Sequence, residues 1–183
     1  MTVTTNLRDD HDLILTTLTC FTTALTRARS EPAVKPQELA PFIEFVRGFA
    51  DQCHHAKEEL LLFPALVRAG LPAHGGPVGC MLEEHLAGRT CLATMHDAIA
   101  SADDDPQGAM VTLQRQGAAY VELLRSHIAK ENGVLFEMAD RLLRGDDAAR
   151  VLDDLRTLAA DTGHAAEDQR GRRLAAQMLD RYA

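Results

Sequence analysis

Tryptophan is absent, and aromatic residues of any kind are sparse: six phenylalanines and two tyrosines in 183 residues. Sheets draw on aromatic and β-branched side chains, so a chain rich in alanine and leucine reads as helical instead. No run of about 18 apolar residues occurs, as a membrane span would need. The opening MTVTTNLRDDHD has neither the basic nor the apolar region of a secretory signal, so a cytoplasmic protein with no membrane partner is expected. The four cysteines, Cys20, Cys53, Cys80 and Cys91, form no CxxC pair, and a chain of this size needs no disulfide staples; reduced, buried thiols are expected. Basic residues are in deficit, 19 against 27 acidic, and the net charge of −8 argues against a nucleic-acid partner. Hydrophobic residues at 46% are too many for a disordered tail, and a mass of 20.0 kDa fits one packed domain.

Proline is missing after residue 106, and the seven prolines up to that point punctuate helices. Apolar positions at helical spacing (Leu7, Ile14, Leu18, Phe21, Leu25) predict a first helix over residues 6–29, closed by the turn SEPAVKP. A second helix starts near Pro36 or Pro41 and ends at Gly70, with a kink expected at Pro64. A third opens at Pro77 and runs to about Ala100; a fourth spans Pro106 to Arg144, stops at Gly145 and has Asn132-Gly133 as a candidate break. A helical tail over 147–181 is interrupted near Gly163. Short connections make neighbours antiparallel, so an all-α, up-down-up-down four-helix bundle is expected over 1–145, with 146–183 as a helical extension packed on or beside it.

Laid on itself, the chain repeats. His54-His-Ala-Lys-Glu58-Glu-Leu-Leu-Leu-Phe63 matches His127-Ile-Ala-Lys-Glu131-Asn-Gly-Val-Leu-Phe136 at six of ten positions, at an offset of 73 residues. Asp9-Asp10-His11 matches Glu83-Glu84-His85 at an offset of 74, so two helical hairpins stand in tandem. In each HxxxE pair the two side chains share one helix face. Residues on antiparallel helices lie at one depth when equidistant from the joining turn. The midpoints between His11 and His54, His54 and His85, and His85 and His127 fall beside Pro32, at Gly70 and at Pro106, all in turns. His11, His54, His85 and His127 should therefore share one level, with Glu58 and Glu131 one turn along. Burying such a set without compensation is very costly. Two divalent metal ions resolve it, each taking about two imidazoles and sharing two bridging carboxylates; with no thiolate, Fe or Mn is expected ahead of Zn. The ferritin-like arrangement is excluded, since it needs Glu-x-x-His pairs and the residues three before these histidines are Arg8, Asp51, Leu82 and Leu124.

With its order and spacing of His11, His54-x-x-x-Glu58, His85 and His127-x-x-x-Glu131, the chain resembles the hemerythrin-like, or HHE cation-binding, family over about residues 6–144. The resemblance implies a four-helix bundle around a non-haem di-iron centre, oxo or hydroxo bridged. Respiratory members have a second histidine four residues after the third-helix ligand, where this chain has Arg89. The departure leans toward bacterial relatives that sense, detoxify or react with O2, peroxide or NO. A peroxide-decomposing or NO-reducing activity, an oxygen-binding carrier and an iron store or donor stay open, as does a homodimer.

Other residues carry weaker expectations. His55 and Glu59 form a second HxxxE pair rotated by about 100° from the first; His55 is expected on the surface before it is expected as a fifth ligand, and Glu59 is expected to be dispensable. Tyr120 is expected in the core rather than beside a bound oxygen species, and Cys53 as a packed thiol. Arg89 is expected to pair with an acid, His74 to lie in a loop, and His96 and His164 to be solvated. Gly88, one turn from His85, is expected to leave an access gap in the third helix.

Overall fold

The computed structural model describes residues 2–183. Among the described residues there are six helices and no strand. Helix α1 is Thr5–Ser30; α2 covers residues 40–68, entered through the short 3₁₀ turn Pro36–Leu39; α3 is Gly76–Ala100; α4 covers 106–142; α5 is Gly145–Ala160 and α6 is Thr162–Tyr182. The punctuation works as its chemistry requires. Asp105 caps α4, its side chain accepting from the Gly108 N–H at 2.9 Å just ahead of Pro106. Gly70 and Gly145 take the left-handed backbone (φ 107° and 56°) at the exits of α2 and α4. The interruption at Gly163 is a new N-terminus, where the Asp161 carboxylate accepts from the Gly163 and His164 N–H groups at 3.0 Å.

Helices α1 to α4 each touch the next along the chain, and α4 closes on α1. Helix α6 lies against both α1 and α2, while α5 packs on α6 and the far end of α2. Close approach of α6 depends on Gly171, where an added Cβ would stand 2.6 Å from the Phe49 Cβ. The interior is stratified. One apolar cluster holds Ile14, Phe21, Phe42, Phe49, Leu113 and Tyr120; a second holds Leu7, Leu62, Phe63, Val78, Leu135 and Phe136. Between them lies a layer of buried histidines and glutamates.

Neither α2 nor α4 is an α-helix throughout. Residues Val46–His55, Glu58–Leu62 and Glu131–Leu135 form wider turns; the Phe63 N–H donates to the Glu58 carbonyl and the Phe136 N–H to the Glu131 carbonyl, five residues back. The kink expected at Pro64 takes this form. Proline has no N–H to give and its ring collides with the carbonyl four residues before it, so a widened turn just upstream relieves both. The Asn132-Gly133 step likewise widens α4 without breaking it. In both copies the glutamate and phenylalanine of the repeat therefore mark the two ends of one widened turn.

Candidate metal centre

The layer is built from four helices. His11 comes from α1, His54, His55 and Glu58 from α2, His85 from α3, and His127 and Glu131 from α4; all seven are buried, Glu58 and Glu131 completely. Their ligand atoms converge in two overlapping groups. His55, Glu58, His85 and His127 form one and His11, His54, Glu58 and Glu131 the other, the atoms of each lying within 4.8 Å of one another. Glu58 belongs to both. Its Oε1 is 3.6 Å from His54 Nε2 and its Oε2 3.5 Å from His85 Nε2, while Glu131 Oε2 is 3.1 Å from His11 Nε2 and 3.2 Å from His127 Nε2.

Each imidazole is oriented from behind. Nδ1 of His11 faces Asn132 Oδ1 at 2.9 Å, that of His54 faces Asp10 at 3.4 Å, that of His55 faces Asp51 at 3.4 Å, that of His85 faces Glu59 at 2.7 Å, and that of His127 faces Glu84 at 3.0 Å. An acceptor at Nδ1 holds the proton there and leaves Nε2 as a lone-pair donor aimed inward. Cations stand behind the acceptors: Lys57 (2.7 Å) and Arg172 (3.4 Å) on Asp10, Arg89 on Asp51 (2.8 Å) and Glu59 (2.7 Å), and Lys130 on Glu84.

Of the inner atoms, Nε2 of His85 and His127 face each other at 3.2 Å and the rest have no partner. Nε2 of His11, His54 and His55 and all four oxygens of Glu58 and Glu131 are buried without a hydrogen bond. Groups of this kind are costly to leave unpaired. Burial, reinforced by the neighbouring charge of Glu131, drives the Glu58 carboxyl well above its ordinary range. Glu131 is equally buried, yet His11 and His127 outweigh that and hold it well below. Burial lowers His54 to about 3 and His85 further still, so both are neutral near pH 7. A neutral imidazole and a carboxylate are the forms that bind metal, and the donor set of nitrogen and oxygen without sulfur suits iron or manganese. The residues fit a cation pair.

Residues 2–139 match the hemerythrin HHE cation binding domain. The chain belongs to that family. Proteins described only as uncharacterized, from Mycobacterium tuberculosis and Mycobacterium bovis, are 25% identical over 136 residues, which is 74% of this chain and 52% of theirs. The chain thus spans about half the length of these curated relatives. No solved structure matches it.

Within this hemerythrin-family chain, the six residues singled out by spacing, His11, His54, Glu58, His85, His127 and Glu131, are brought to one place. His55 is a correction: it is not a surface residue but 5% exposed, its ring stacked on His85 at 3.8 Å. On a regular α-helix adjacent residues diverge by about 100°; the wide turn over Val46–His55 narrows that step, so His54 and His55 both turn inward. Glu59 is a second correction, since it is the acceptor for His85. Gly88 is a third. The space beside it is filled by the Tyr120 ring, 3.4 Å from where a Cβ would stand, so no gap opens there. His164 is half-buried rather than solvated. Tyr120 lies in the core, Cys53 is a buried thiol whose Sγ donates to the His164 carbonyl at 3.7 Å, His74 sits outside the helices and His96 is exposed.

Spacing alone missed Asp10, Asp51, Glu59, Glu84 and Asn132. Their signal lay in the repeat. Asp10 and Glu84 are counterparts, as are Lys57 and Lys130, and Glu59 and Asn132. The hydrogen bonds obey the same relation, with Asp10 on His54 where Glu84 is on His127, and Asn132 on His11 where Glu59 is on His85.

Proposed function

We propose that this chain is a non-haem di-iron protein that binds or reacts with O2, peroxide or NO. One observation carries the reading. Five imidazoles are fixed at Nδ1 and aimed through Nε2 at two buried carboxylates whose oxygens have no donor. His55, His85 and His127 would hold one ion, His11 and His54 the other, with Glu58 between them and Glu131 completing the set. Iron bound there would supply one-electron redox chemistry and room for a small ligand. The chain's residues keep the imidazoles in one tautomer, exclude bulk water and neutralise the ion pair. Helices α1 to α4 would form the up-down-up-down bundle over 1–145, with 146–183 an extension laid across α1 and α2. No helix among the described residues is long and apolar enough to cross a membrane. A reducing cytoplasm is the proposed setting, and it agrees with four unpaired cysteines.

Elemental analysis of protein from iron-replete cells should give close to two iron ions per chain. One zinc, or no metal, would refute the di-iron reading. The reduced protein is then mixed with O2, H2O2 and NO in turn in a stopped-flow spectrometer. A reversible adduct identifies a sensor or carrier, sustained consumption identifies an enzyme, and loss of iron identifies a store or donor.

A further inference from the structure

The internal repeat relates the two halves of the site residue by residue, and it fails at four positions. Asp51, His55, Glu59 and Arg89 stand where the other half has Leu124, Ile128, Asn132 and Leu15. These four residues form one contiguous chain of contacts. The Arg89 guanidinium donates to Asp51 Oδ1 from Nε at 2.8 Å and to Glu59 Oε1 from Nη2 at 2.7 Å. Asp51 Oδ1 faces His55 Nδ1 and Glu59 Oε1 faces His85 Nδ1, and the two rings stack at 18°. Elsewhere the outer cations are not shared in this way. Asp10 has two of them, Lys57 and Arg172, for the single imidazole of His54; Glu84 has Lys130 for His127; His11 rests on a neutral amide.

We propose that Arg89 is a positioning residue that makes the two metal positions unequal. It holds the carboxylates behind His55 and His85, which belong to the same quartet, so the ion among His55, Glu58, His85 and His127 depends on this one guanidinium. The ion among His11, His54, Glu58 and Glu131 does not. Removing Arg89 frees both carboxylates to turn outward: Asp51 lines, with Arg89, a surface cleft of about 340 Å³ that hydrates it once the clamp is gone, and the Glu59 side chain is already 25% exposed. His55 and His85 then lose both tautomer and orientation. Outer partners of metal-bound histidines are worth roughly 10- to 100-fold in metal affinity, and here two are lost together.

The inference rests on the two-ion reading, and the test separates the two. Wild type, Arg89→Gln, Arg89→Lys and Arg170→Gln are loaded anaerobically with Fe(II), and iron release to a chromogenic chelator is followed. In Arg89→Gln one of two ions should leave at least ten-fold faster than in wild type and the other at the wild-type rate. Arg89→Lys, whose ammonium lacks the fork that spans both carboxylates, should fall between. Arg170→Gln, which removes only an exposed pair with Glu44, should stay at wild type. Proton NMR of the iron-loaded protein gives a second readout: two exchangeable Nδ1–H signals should be lost to solvent exchange in Arg89→Gln. Release of both ions together, or at wild-type rates, overturns the inference while the two-ion centre stands. Wild-type protein that holds fewer than two ions overturns both. The Arg89 side chain is 39% exposed, so the metal-free variants should melt close to wild type; should Arg89→Gln not fold, Arg89→Lys carries the test, with one ion leaving faster than in wild type and the other at the wild-type rate.

Discussion

Glu58→Gln should stabilise the metal-free protein while destroying its capacity for metal. The Glu58 side chain is completely buried, its oxygens have no donor, and burial together with Glu131 raises its pKa well above 4.5. Between pH 4.5 and its folded value such a group is protonated when the chain is folded and ionised when it is unfolded. The folded state then binds the extra proton, so stability falls as pH rises from 4.5 toward the folded value, by about 1.4 kcal/mol per pH unit. Glutamine keeps the shape and does not titrate. The imidazoles facing Glu58 act in another window. His54 and His85 are depressed by burial, so they remove stability as pH drops below 6.5 and are silent above it. His127 is raised despite burial, chiefly by Glu131 and Glu84, and its contribution fades above 6.5 in wild type and variant alike. Urea unfolding of chelator-treated proteins from pH 5 to pH 8 should therefore show Glu58→Gln as the more stable, by a margin that widens as pH rises from 5 toward the folded value, while iron binding collapses. A less stable variant, or a margin indifferent to pH, would refute the argument that these carboxylates are held for a cation.

Three further outcomes are expected. Glu59→Ala, which removes the acceptor 2.7 Å from His85 Nδ1, should weaken metal binding by about 10- to 100-fold in a chelator competition. Gly171→Ala drives a methyl group to 2.6 Å from the Phe49 Cβ and should cost about 1–3 kcal/mol in thermal unfolding. Burial pushes the Cys53 thiol up to about 11 and leaves it 1% exposed, so alkylation at pH 8 followed by mass spectrometry should find the half-buried Cys80 and Cys91 modified well before Cys53.

Much of this molecule is legible in the sequence because two periodicities coincide. Prolines 77 and 106 and glycines 70 and 145 bound the helices, and turn midpoints predict which histidines share a level. What escaped is what departs from 3.6 residues per turn. The five-residue step from Glu58 to Phe63 is visible in the letters, but only the backbone shows it as a widened turn, and a regular helix wheel would place His55 on the outside. The outer acceptors escaped for another reason. Asp10 adjoins His11 in sequence yet serves His54 on the next helix, a pairing fixed by packing between helices and not by spacing along one. Gly88 misled because the ring that fills its space, Tyr120, comes from α4.

The alternation of charge outward from the centre also governs what the site looks like from a distance. Imidazoles and two carboxylates are enclosed by acids, and the acids by Lys57, Lys130, Arg89 and Arg172. The acids and the cations outside them are of opposite sign and cancel one another's far field, so beyond about 10 Å of saline little of their charge is felt. An approaching molecule responds instead to the surface excess of a chain at −8. Uncharged visitors such as O2, NO or hydrogen peroxide are neither drawn nor repelled, and their arrival is governed by diffusion and by the openings between side chains, with little dependence on ionic strength. Anions meet a repulsive exterior before they reach any cation that could welcome them, which filters by charge before any contact with the centre.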